Sequence, residues 1–245
     1  MKIIISPSKT QNQLTYNHLE GQRLADQDAS LFLFNQLKMT SKKDIASLMK
    51  IKKQLLEDTY DLYQSFKKSD DRTQAIHLYS GVVFDKLDIN DYTPQQKQYM
   101  YQHLTILSAM YGPLRPDSLV WPYRLDMTMK PGGINLYHYW QNHIDHHFYQ
   151  TDLIINLASN EFSRMLKKTQ ARIIDIVFKE ENSSGKLRTV SYSAKVARGK
   201  MLNQIILNQI FDIEQIKSLV VDNYQYHKGL STEKQWIFIK EHKRK

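Results

Sequence analysis

Residues 152–159 read "DLIINLAS", an almost wholly apolar run that passes without a break into the helical pattern "NEFSRMLKK". A strand that is apolar on both sides must be covered on both faces, so it predicts a central strand of an α/β sheet. "KIIIS" at 2–6 is a second such run, β-branched and ended by Pro7, and predicts another buried strand.

The rest of the chain must supply the cover. "SLFLFNQL" turns helical. A helix capped by Thr40 or Ser41 carries Ile45, Leu48 and Met49 on one face, and the next carries Leu55, Thr59, Leu62, Tyr63 and Phe66. "AIHLYSG" reads as a strand closed by Gly81. Pro94 opens what reads as one helix through "QQKQYMYQHLTILSAMY" to Gly112. "NLYHYWQNHIDHHFY" predicts a further helix. "ARIIDIVF" and "KLRTVSYS" flank "KEENSSG" as a hairpin, "AKVARGKMLNQIILNQI" is a long amphipathic helix, and "QWIFIK" is a last strand. Strands and helices are interspersed without strict alternation. The expectation is one mixed α/β domain over 1–245, its central mixed sheet flanked by helices, and not a clean doubly wound sheet.

Composition narrows the partners. Thirty-four Lys and Arg against 25 Asp and Glu give a net charge of +9, which favours polyanions through a long-range, salt-sensitive field. There is no cysteine, so disulfides, thiol chemistry, iron–sulfur clusters and cysteine-ligated zinc are excluded. No apolar run reaches the roughly 18 residues needed to cross a bilayer. "MKIIISPSKT" is too short for a signal h-region, so a cytoplasmic location without a membrane partner is expected.

Several constellations could carry chemistry. "ISPSKT" puts Ser6, Ser8 and Lys9 just past a strand end, where ligands collect in α/β proteins. It is either a Ser/Pro turn with an exposed lysine or an anion site; without glycines it is not a P-loop. "INLASNEF" repeats the arrangement with Ser159, Asn160 and Glu161. These serve either as an N-cap with a first-turn carboxylate or as polar groups facing the same cleft. In "AKVARGKM", Lys195, Arg198 and Lys200 fall near a helix N-terminus, where cations oppose the helix dipole unless an anion is bound. "YGPLRPDSLVWPYRLDM" at 111–127 holds three of the six prolines and carries Arg115 and Arg124; its rigidity lowers the entropy lost on engaging an anion. Lys50, Lys52 and Lys53 lie in the connector "KIKK" between two helices and suit a phosphate backbone. His143 and His147 share a helical face, but no HExxH pattern or third ligand accompanies them. No metal site and no cofactor is expected.

Together, "ISPSKT", "LSAMYGPLRPDSLVWPYRLDM", "INLASNEF" and "YSAKVARGKM", in this order and spacing, resemble the bacterial peroxide-stress protein YaaA family over essentially the whole chain. The family pattern has a small residue at Ser8, an acidic one at Asp126 and "AKxARG" at Lys195 to Gly199. The resemblance implies a single mixed α/β domain with a positively charged cleft. It also implies a helix-hairpin-helix-like element tied to DNA binding, corresponding to residues 40–58, although the usual glycines are missing there. It further implies a cytoplasmic role under hydrogen peroxide stress in limiting free iron and iron-dependent DNA damage.

Two functions follow as expectations. The first is DNA binding largely without sequence specificity. The second is an enzyme on a nucleotide, nucleobase or other phosphate-bearing ligand, with Lys9, Arg124, Lys195 and Arg198 holding the anion and Glu161 or Asp126 moving a proton.

Overall fold

Lys2–Ile5 forms strand β1, and Ile3, Ile4 and Ile5 are all fully buried, so both faces of this strand are covered. A computed structural model describes residues 1–12, 21–66 and 72–241. The further strands are β2 Leu104–Ser108, β3 Gly112–Leu114, β4 Leu153–Asn156, β5 Arg172–Glu181, β6 Leu187–Arg188, β7 Gln225–Tyr226 and β8 Gln235–Lys240. They make one eight-stranded sheet in the order β3-β2-β1-β4-β5-β8-β7, with β6 paired to β5.

Five neighbouring strands, β2-β1-β4-β5-β8, are parallel. Ile3 is in register with Leu104 on one side and Ile155 on the other. The remaining three are antiparallel additions, so the sheet is mixed, as expected. Counted along the chain, the parallel strands run 2-1-3-4-5, a doubly wound order whose switch point lies between the first and third. Here those are β1 and β4, the two apolar runs.

Helices are α1 Gln27–Met39, α2 Lys42–Met49, α3 Gln54–Gln64, α4 Pro94–His103, α5 Gln141–His147, α6 Asn160–Ser163 and α7 Ser191–Leu207. Further single helical turns include Ala75–Leu78, Leu136–Tyr139 and Glu214–Lys217. Among the described residues, no helix is long and apolar enough to cross a membrane.

Four elements depart from the sequence expectation. Of the expected hairpin arm "KLRTVSYS" only Leu187–Arg188 is strand, and Ser191 already opens α7. The helix opened by Pro94, with its Thr93–Gln96 capping box, ends at His103, and Leu104–Ser108 is strand β2. All five β2 residues are buried, so no polar face remains by which period alone could tell a strand from a helix. "AIHLYSG" is not a strand. Thr73–Gln74 pairs with Leu119–Val120, and Ala75–Leu78 is a helical turn. Its leading N–H groups, from Ala75 and Ile76, bond the carbonyls of Ser118 and Pro116, a tertiary partner invisible locally. The helix expected over "NLYHYWQNHIDHHFY" is two pieces, Leu136–Tyr139 and α5, meeting at the fully buried Trp140.

Candidate functional site

Residues 121–127 belong to no sheet, so their backbone polar groups need other partners. Side chains provide them. The Tyr111 hydroxyl donates to the Trp121 carbonyl at 2.7 Å and accepts the Trp121 N–H at 2.9 Å. Gln11 Oε1 accepts the Tyr123 N–H at 3.0 Å. Tyr63 clasps Arg124 at both its N–H and C=O. Met129 Sδ accepts the Asp126 N–H, and Glu161 Oε1 accepts the Met127 N–H at 3.0 Å. The Trp121 ring wedges edge-on against Phe66 and Phe34. The proline-rich stretch is thus a corner fastened by buried tyrosines, and it presents Arg124 and Asp126.

The exits of β1 and β4 meet beside it. Ser6 Oγ donates to Ser159 Oγ at 3.1 Å and accepts the Ser159 N–H at 2.8 Å. Asn156 Oδ1 accepts the Ala158 N–H at 2.8 Å while its Nδ2 donates to Asp175 at 2.7 Å. A polar residue at the end of the apolar run therefore builds the turn.

Helix α7 closes the third side. A Cβ on Gly199 would lie 2.4 Å from the Val83 carbonyl oxygen and 2.9 Å from Lys86 Cβ. Only glycine lets the helix come this close to the 83–86 segment, and the approach brings Lys195 and Arg198 to the site.

These segments enclose a cavity of about 380 Å³ at the switch point. Lys9, Arg124, Lys195 and Arg198 line it, with Asp126 and the hydroxyls of Ser6, Ser8 and Ser159. Its apolar wall includes Val82, Val83, Phe84, Leu157 and Phe162. Lys9 Nζ sits 2.6 Å from Asp126 Oδ2; that pair cancels, leaving three cations. The Nε atoms of Arg124 and Arg198 are buried with no hydrogen-bond partner among the described residues. Burial holds the Arg198 guanidinium below its ordinary pKa, because the charged form is poorly solvated there without an anion.

The cavity therefore joins eight of the residues named from sequence. The others lie elsewhere. Arg115 is held in a fork by Asp117, at 3.0 and 2.9 Å. Lys200 bonds Asp222 at 2.7 Å. Asn160 is exposed outside the cavity, and Glu161 braces the Met127 backbone instead of facing it. His143 pairs with Asp26 at 2.9 Å and His147 Nε2 with Thr105 Oγ1 at 2.9 Å. Among the described residues, no group of three or more His, Cys, Asp or Glu is placed to hold a metal. Sequence reading missed Gln11 and the wall at Gly81–Phe84, which carry no chemical signature of their own. Only the positive φ of 110° at Gly81, facing Ser8, marks that turn as special.

Lys50, Lys52 and Lys53 occupy the tight connector between α2 and α3. Ser41 caps α2 by accepting the Asp44 N–H, and Lys42 pairs with Glu57 across the two helices. Ile51 is buried, while the three lysines are exposed and lack an acidic partner among the described residues. Lys50 (φ 53°) and Lys53 (φ 55°, ψ −141°) adopt conformations that glycine favours. Lysines thus hold the α2–α3 connector in backbone conformations that glycine favours, Lys50 and Lys53 each at a strain of about 1–3 kcal/mol.

The model of a family described as peroxide stress protein YaaA matches residues 1–230. A UPF0246 protein of Fusobacterium nucleatum is 35% identical, over 98% of this chain and 99% of its own length. UPF0246 proteins of Acaryochloris marina and Finegoldia magna are 33% and 34% identical, each over 98% of this chain, and over 100% and 98% of their own lengths. The motifs those similarities span include those that build the cavity, and the chain belongs to the peroxide stress protein YaaA family.

Proposed function

We propose that this chain is a cytoplasmic peroxide-stress protein that binds DNA largely without reading its sequence and so helps limit iron-dependent DNA damage. One observation carries the reading: three exposed lysines without acidic partners among the described residues, set in a strained four-residue connector between two helices. Lysines spaced this way neutralise backbone phosphates and release counterions, which supplies affinity independent of base sequence. The net charge of +9 adds long-range attraction.

Fluorescence anisotropy of a labelled duplex against KCl concentration tests it. Log affinity should fall with log salt by about 0.9 per phosphate contacted. Replacing Lys50, Lys52 and Lys53 by Gln should flatten that slope by about 0.9 for each phosphate no longer neutralised; an unchanged slope rules the hairpin out as the DNA contact.

The cavity favours a second reading, an enzyme acting on a phosphate-bearing ligand. A protein that only coats DNA has no use for a concave, cation-lined pocket at a switch point. In that reading Arg124, Lys195 and Arg198 hold the anion and Asp126 is the proton-transfer group that faces the ligand. Full complementation of a peroxide-sensitive null strain by Asp126→Asn would dismiss the catalytic role.

A further inference from the structure

The switch-point cavity is too small for a duplex and too apolar for phosphate alone. Its 380 Å³ is room for one small molecule, whereas a duplex has a major groove alone about 12 Å wide and 8.5 Å deep. The cavity still falls within the roughly 300–1,000 Å³ of small-molecule sites. One side offers guanidinium, ammonium and hydroxyl groups; the other offers Val82, Val83, Phe84, Leu157 and Phe162. Inorganic phosphate would satisfy the first and leave the second against water.

We infer that the cavity receives a single nucleotide unit, its phosphate held by Arg124 and Arg198 and its base laid on the apolar wall. This rests on the reading that the cavity takes a phosphate-bearing ligand. Arg124 and Arg198 both line the cavity, and a phosphate oxygen accepts charge-assisted bonds from a guanidinium. Arginine's planar fork suits phosphate better than lysine's point charge. The base contributes a flat apolar face, which aromatic and aliphatic side chains accept whatever its identity. The Lys9–Asp126 pair at the rim leaves the cavity's charge positive while offering hydrogen-bonding edges. Such a unit comes either from a free nucleoside monophosphate or from a strand whose nucleotide is extruded from the stack. In the second case the α2–α3 hairpin, outside the cavity, holds the duplex.

Calorimetry with 5′-AMP, adenosine and inorganic phosphate reads the site directly. AMP should bind, with adenosine and phosphate each weaker by about tenfold or more. Arg124→Gln and Arg198→Gln should each weaken AMP by about tenfold. Lys195→Gln, at an exposed position and one of the three remaining cations, should weaken AMP in the same direction and serves if either fails to fold. A duplex carrying 2-aminopurine separates the sources: brighter fluorescence on binding, lost in Arg198→Gln, assigns the unit to an extruded nucleotide. AMP binding with an unchanged signal assigns it to a free nucleotide. AMP binding no more tightly than phosphate, together with flat 2-aminopurine fluorescence, overturns the inference. Loss of duplex binding with AMP binding intact removes the DNA reading alone, and intact duplex binding with neither signal removes the cavity assignment alone.

Discussion

The Tyr63 hydroxyl donates to the Arg124 carbonyl at 2.6 Å and accepts the Arg124 N–H at 3.0 Å. One fully buried phenol on α3 thus satisfies both backbone groups of a residue 61 positions away, in a segment with no strand partner. Burial pushes the Tyr63 pKa up, so the phenol stays protonated and keeps its donor. Tyr63→Phe removes both bonds and leaves two part-buried backbone groups unsatisfied. We expect a loss of about 1–3 kcal/mol in urea-melt stability, with weaker binding in the cavity as Arg124 loses its anchor.

Gly199 reverses an ordinary rule. Gly→Ala inside a helix normally stabilises by up to about 1 kcal/mol. Here the added methyl would meet the Val83 carbonyl at 2.4 Å, and backbone cannot rotate aside as a side chain can. Gly199→Ala should cost about 1–3 kcal/mol, read as a lower thermal midpoint. A raised midpoint would show that α7 has room to shift.

His147 makes stability depend on pH. Burial, helped by the cations of Lys2 and Arg115, lowers its pKa to about 4, while Asp26 opposes the shift. The folded protein keeps the ring neutral, whereas the unfolded chain takes up a proton below about 6.5. Stability from this group is therefore full above about 6.5 and is lost as pH falls toward 4, on the order of 3 kcal/mol in all. Urea midpoints between pH 7 and 4.5 measure the loss. His147→Gln should reduce that slope, and a slope identical to the parent's would assign it to other groups.

Lys53 separates stability from function. Its φ of 55° and ψ of −141° suit glycine, so Lys53→Gly should stabilise the fold, by about 1 kcal/mol where strain is relieved. The same change removes a cation from the hairpin and should weaken duplex binding and its salt dependence. A variant that gains stability and keeps full affinity would take Lys53 out of the DNA contact.

Much of the architecture was legible because its causes are local. "KIIIS", "DLIINLAS" and "QWIFIK" are strands by composition, Ser41 and Pro94 start helices by their own chemistry, and Gly185 lies in the turn of the hairpin that joins β5 to β6. "LTILS" was misread because complete burial erases the periodicity that separates helix from strand. "AIHL" turned helical because its N–H groups found the carbonyls of Pro116 and Ser118.

The sequence by itself determined strands β1 and β4 at the centre of the sheet, the basic charge, the absence of thiol chemistry and the motifs that identify the family. All of these depend on neighbouring residues or on totals. Only the tertiary structure decided which polar residues face one another. Lys9 meets Asp126 across 117 positions, Arg198 joins them because Gly199 lets α7 approach Val83, and Glu161 turns away to hold the Met127 backbone. A strand exit marks where ligands collect, but which side chains reach that space depends on packing between segments far apart in the chain.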